Sequence, residues 1–78
     1  MKDLTTAWLE AAFLDMESAR RLLDDDLLTP VVAFHSQQVV EKILKAILEE
    51  LTGDVPKIHN VLKLYELVRN RMCQIRLL

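Results

Sequence analysis

The sequence predicts an all-α fold, a short up-and-down bundle of three helices whose core is completed by dimerisation. Three observations predict it. Aliphatic residues recur at helical spacing in three separate stretches. The helix-breaking residues Pro30, Gly53 and Pro56 fall at or between the ends of those stretches. The connections are short, which makes successive helices antiparallel neighbours. At 78 residues the chain is near the lower limit for a self-sufficient core, yet 51% of it is hydrophobic. Surplus apolar surface on so short a chain points to self-association.

The first helix is expected from about Leu4 to Asp26, with Thr5 or Thr6 at its cap. Trp8, Leu9, Ala11, Ala12, Met16, Ala19, Leu22 and Leu23 form one arc of its wheel, opposite Glu10, Glu17, Arg21 and Asp24. Asp15 falls inside the apolar arc, where a carboxylate must be paired, hydrogen-bonded or protonated. A structural tie to a neighbouring helix is its favoured role. Asp24, Asp25 and Asp26 put three negative charges at the helix C-terminus, the wrong sign for the dipole, so the helix should end there. Three consecutive carboxylates point in different directions and are read as solvated charges, not as a metal site.

Thr29 suits an N-cap and Pro30 a first helical position, so the second helix should span about Pro30 to Leu51. Gly53 provides a C-cap and Pro56 prevents continuation. Val39, Val40, Ile43, Leu44, Ile47, Leu48 and Leu51 share a broad arc expected to face the core. His35, Gln38, Lys42, Lys45 and Glu49 form a polar stripe across from it. Gln37 falls within the apolar arc and is expected to hydrogen-bond to another element, since an unpartnered buried amide costs about 1–3 kcal/mol.

The third helix should start near His59 or Asn60 and run toward the C-terminus. Val61, Leu64, Tyr65, Val68, Met72 and Ile75 lie on one arc, and Arg69, Arg71 and Arg76 give a basic end. His59, at the helix start, is read as a cap or a cross-helix bond.

Composition narrows the function classes. A net charge of −2 and a pI near 5.6 argue against general nucleic-acid binding but leave room for a local basic patch. The lone Cys73 allows no internal disulfide and no cysteine-based zinc site. The start Met1-Lys2-Asp3-Leu4 lacks a signal-peptide layout, and no apolar run approaches a membrane span. A cytoplasmic protein without membrane contact is the expectation, with no metal and no cofactor.

The run Phe34-His35-Ser36-Gln37-Gln38-Val39-Val40-Glu41-Lys42-Ile43-Leu44-Lys45-Ala46 resembles, almost residue for residue, the Phe-His-x-Gln-Gln-x-x-Glu-Lys-x-Leu-Lys-Ala signature of the HEPN family. Trp8, Asp15, Ala19 and the Leu22-Leu23 pair precede it in the family's order. His59-Asn60-Val61 with Leu64 resembles the family's His-Asp-Leu-x-x-Leu helix start, with Asn60 and Val61 as departures. The resemblance covers nearly the whole chain, so residues 1–78 are read as one HEPN-like helical domain that lacks the family's C-terminal helices.

That resemblance implies a dimeric helical bundle, frequent pairing with a small nucleotidyltransferase, and often a toxin–antitoxin setting. Many members are metal-independent ribonucleases that use an arginine followed, after a short spacer, by a histidine. Neither His35 nor His59 has an arginine at that distance upstream, and no histidine follows Arg69, Arg71 or Arg76. No catalytic residue is therefore assigned. The expected function is a binding or regulatory module of a nucleotidyltransferase-linked system. Its ligand-facing residues would be His35, Gln38, Lys42 and Lys45, with RNA or phosphate contacts at Arg69, Arg71 and Arg76. Buried polar ties are expected at Asp15, Gln37 and His59. The alternatives are a ribonuclease toxin and a purely structural dimerisation module.

Overall fold

The computed structural model describes residues 1–76, the last two of them by backbone alone. The chain runs α1 (Asp3–Leu22), a short 3-10 turn (Asp26–Leu28), α2 (Thr29–Thr52) and α3 (Val61–Arg76). This is the all-helical, three-helix architecture the periodicity predicts. Expectations resting on the side chains of Ile75 and Arg76 lie outside the described residues.

The boundaries follow local chemistry. α1 stops four residues earlier than expected, at Leu22, ahead of the three aspartates. Asp25 then accepts the Leu27 N–H at 3.0 Å and starts the 3-10 turn. Thr29 is already inside α2, and its hydroxyl donates back to the Asp26 carbonyl at 2.9 Å instead of capping. At the far end Gly53 adopts φ 71°, a left-handed conformation that an L side chain resists, and donates to the Glu49 carbonyl at 2.9 Å. Asn60 caps α3, its side-chain oxygen accepting the Lys63 N–H at 3.1 Å. Asparagine and aspartate are equally good caps, so this departure from the family pattern keeps the capping chemistry.

α1 and α2 form an antiparallel hairpin, and α3 packs on α2 alone to any substantial extent. The hairpin is stapled at its open end. The Lys2 backbone N–H donates to the Glu50 carboxylate at 3.0 Å, and the Lys2 ammonium donates to the Glu49 carbonyl at 2.9 Å. The second bond places a cation at the C-terminus of α2, where the helix dipole favours it.

The apolar core is small. Leu48, Leu64 and Val68 are buried together, with Leu44, Ile47, Val55 and Ile58 half-buried around them. It sits where α3 and the incoming loop meet the C-terminal half of α2. Along the hairpin the expected orientation of α2 holds only in part: Leu48 is buried and Val39, Leu44, Ile47 and Leu51 are half-buried, but the stripe expected to face solvent is covered as well. Glu41, Lys45 and Glu49 are buried, and His35, Gln38 and Lys42 are half-buried. Val40 and Ile43, expected in the core, are 46% and 39% exposed. Gln37 is exposed as well, so the expected buried amide tie does not form. The correction has a simple cause: α1 packs against the charged side of α2, so Val40 and Ile43 turn outward.

The molecule is accordingly extended, at 48 × 24 × 21 Å with a radius of gyration of 14.2 Å. A compact chain of this length would have a radius near 12 Å. Leu64 is the one large side chain with no exposure among the described residues. Leu64→Ala should therefore lower unfolding stability by about 2–4 kcal/mol in chemical denaturation, and Leu62→Ala, at an exposed position on the same helix, by much less.

Candidate functional site

The charged residues on the inner side of α2 form two clusters, each centred on one carboxylate. In the first, Asp15 of α1 is 8% exposed and faces α2. Its Oδ1 accepts the Nδ1–H of His35 at 2.7 Å, and its Oδ2 accepts the Lys42 ammonium. An ionised carboxylate is acceptor-only, so the proton of His35 sits on Nδ1 and its Nε2 is left as the free ring nitrogen. About a quarter of the His35 and Lys42 side chains remains in contact with solvent. Phe34 packs edge-on against the imidazole, 5.5 Å between centroids.

Burial by itself would raise the Asp15 pKa. The hydrogen bonds and positive charge supplied by Lys42 and His35 outweigh it, so the carboxyl titrates below its ordinary range. Asp15 therefore stays ionised throughout the physiological range and neutralises Lys42.

The second cluster ties α2 to the start of α3. Glu41 is 3% exposed, and its Oε2 accepts both the Lys45 ammonium at 3.4 Å and the His59 Nδ1–H at 3.2 Å. Its Oε1 is buried without a hydrogen-bond partner among the described residues. Lys45 also lies over the Trp8 ring, 5.2 Å from its centroid. One lysine thus links α1 and α2, while Glu41 carries the connection on to α3. The imidazole of His59 itself is largely solvent-exposed, so its bond to Glu41 is made at the surface and not as a buried tie.

Of the residues singled out as facing a ligand, His35, Gln38 and Lys42 lie along the half-buried edge of the hairpin, whereas Lys45 is buried beneath it. Arg69 and Arg71 are exposed on α3, where the Arg71 guanidinium reaches the Gln74 side-chain oxygen at 3.5 Å. The two groups of residues belong to different elements, and no described hydrogen bond joins them. Among the described residues no three or more His, Cys, Asp or Glu side chains are grouped to hold a metal ion. No described helix is long and apolar enough to cross a membrane.

Sequence reasoning found Asp15 but missed Glu41 as the second centre. A signal was present: Glu41, Lys45 and Glu49 recur every four residues with alternating charge. That spacing fits a solvated face equally well, and only the position of α1 distinguishes the two.

Chemically, the first cluster holds the His35 ring through Nδ1 and leaves Nε2 without a described partner, and the second ties α2 to α1 and to the start of α3. Compared with models of known protein families, the chain matches the HEPN domain over residues 5–76. No curated protein and no solved structure matches it.

Removing the Asp15 charge should expose its role. Asp15→Asn is expected to destabilise the fold by about 1–3 kcal/mol, since Lys42 loses its buried acceptor. The pH dependence has a definite sign. With the folded pKa below the unfolded value, the carboxylate's contribution is complete above the unfolded pKa, near 3.9, and is lost as pH falls through the folded value. Denaturation midpoints measured from neutral pH into the acid should fall less steeply for the variant than for the parent chain.

Proposed function

The chain belongs to the HEPN domain family, which has nucleotide- and RNA-related roles, and from that premise we propose that it is a binding and regulatory module. It acts by stoichiometric association, without turnover, in a nucleotidyltransferase-linked system of the toxin–antitoxin type. The observation that carries this reading is the electrostatic state of the site. Both imidazoles are committed through Nδ1 to carboxylates. Lys42 is neutralised by Asp15, and no arginine joins either cluster among the described residues. Phosphodiester cleavage needs positive charge aimed at the developing oxyanion. A cluster centred on a persistent carboxylate supplies little of it.

Nucleotide or RNA is contacted along the edge formed by His35, Gln38 and Lys42, with Arg69 and Arg71 adding phosphate contacts. Lys45 supports that edge from below. The working unit is a homodimer in the cytoplasm. The apolar flank of α1, with Leu9, Phe13 and Met16, and the ridge of α2, with Val40 and Ile43, are all exposed. The total accessible surface is 5857 Å², against about 4,850 Å² for a compact folded chain of this mass. The excess, about 1,000 Å², is close to what one partner contributes to a standard interface.

A second reading, the ribonuclease toxin, is favoured by one observation, the orientation of His35 by Asp15 with Nε2 left free. Incubating the pure protein with RNA separates the two. Retarded migration of intact RNA supports the binding module; cleavage that disappears in His35→Ala transfers the function to the enzyme reading.

The dimer has its own check. Light scattering after size exclusion should give twice the 9.0 kDa chain mass, and a Val40→Glu, Ile43→Glu double variant should elute as a monomer. A parent chain that is monomeric at the highest soluble concentration would remove the homodimer from the proposal.

A further inference from the structure

A second buried carboxylate of α2, Glu49, is left out of both clusters. Glu49 is 8% exposed, and among the described residues no group donates a hydrogen bond to its carboxylate. Its backbone carbonyl, by contrast, receives both the Lys2 ammonium and the Gly53 N–H. Lys45, one turn earlier, has the spacing to pair with it but is held by Glu41 and lies over Trp8. Its oxygens keep some contact with water, whose place a hydrogen-bond donor can take.

Glu49 is not sealed in. It lines an open cleft of about 500 Å³ whose other walls are Leu4, Ala7, Trp8, Ala11 and Val55. The cleft therefore combines aliphatic walls, one indole and one buried carboxylate lacking a partner.

We propose that this cleft is a binding site for an alkylammonium or guanidinium group, with the Glu49 carboxylate as its ion-pair partner and the Trp8 indole as one wall. The chemistry excludes the other ligand classes. An anion would meet an unpaired carboxylate in a weakly screened setting. A neutral apolar group would strip the last water from Glu49 and return no hydrogen bond. A hard metal ion needs about six oxygen ligands, and the cleft offers one carboxylate. An organic cation supplies charge-assisted donors to Glu49 and an alkyl stem to Leu4, Ala7 and Val55. The aromatic wall adds attraction for the cation itself. The site stands apart from the His35 edge and does not depend on RNA binding or on dimerisation.

Trp8 is the only tryptophan, so its fluorescence reports directly on the cleft. The full chain is titrated with n-butylammonium chloride and with agmatine, and in parallel with 1-butanol and sodium butyrate at matched ionic strength. The expected result is a saturable change for the two cations in the millimolar range suited to so small a ligand, with binding of the neutral and anionic analogues at least tenfold weaker. Glu49→Gln, with helicity and melting verified by circular dichroism, should bind the cations no better than the alcohol.

Equal responses to cation and alcohol, no saturation, or undiminished cation binding by Glu49→Gln would each overturn the proposal. Should that variant fail to fold, the ligand series on the parent chain decides alone. A further arm identifies the source of the group. Binding of N-acetyl-arginine-N-methylamide as tight as that of agmatine assigns the site to an arginine side chain of a polypeptide; binding of agmatine alone assigns it to a free amine.

Discussion

The bond set around Asp15 is the constraint on which the rest of the structure depends. One buried carboxylate on α1 takes a lysine and a histidine from α2 and so sets which side of α2 the first helix covers. A charged seam is a demanding way to join two helices, because each group must find its partner or bear its desolvation. Here the demand acts as a register device. Asp15 can meet His35 and Lys42 together at only one rotation and one offset of the hairpin. The Lys2 bonds to Glu49 and Glu50 then close the same register at the other end.

Once α1 occupies the charged side of α2, the aliphatic side is covered by α3 at Leu44, Ile47 and Leu48, and Val40 and Ile43 are left exposed. This links three features that look separate: the small core at the α2–α3 junction, the excess accessible surface, and the run of exposed Leu, Phe, Val and Ile side chains. Glu41 and Lys45 extend the arrangement, with Lys45 spanning α1 and α2 between the Trp8 ring and Glu41. Glu41 also accepts His59 at the threshold of α3. α1 and α2 are thus tied by ionisable groups, whereas α3 is held on α2 by the apolar core.

The same arrangement bears on function. In the HEPN family, catalysis as a ribonuclease rests on an arginine–histidine pair; this chain spends its histidines on carboxylates instead. His35 keeps one ring nitrogen without a described partner, while His59 serves as a surface strap.

The sequence by itself determined the number and order of helices, their punctuation by Pro30, Gly53 and Pro56, and membership of the HEPN family. These are local properties, because propensity, capping and signature motifs are carried by residues near one another in the chain. It also marked Asp15 as a group in need of a partner, since a carboxylate among alanines is anomalous on any wheel. It did not disclose which face of α2 meets α1. The wheel of α2 has two plausible interiors, one aliphatic and one of charges alternating at i, i+4, and hydropathy chooses the aliphatic one. Only tertiary structure decided for the other. Whether Glu41 and Lys45 are solvated or buried depends on the groups brought opposite them, and Trp8 and His59 both come from elsewhere in the chain.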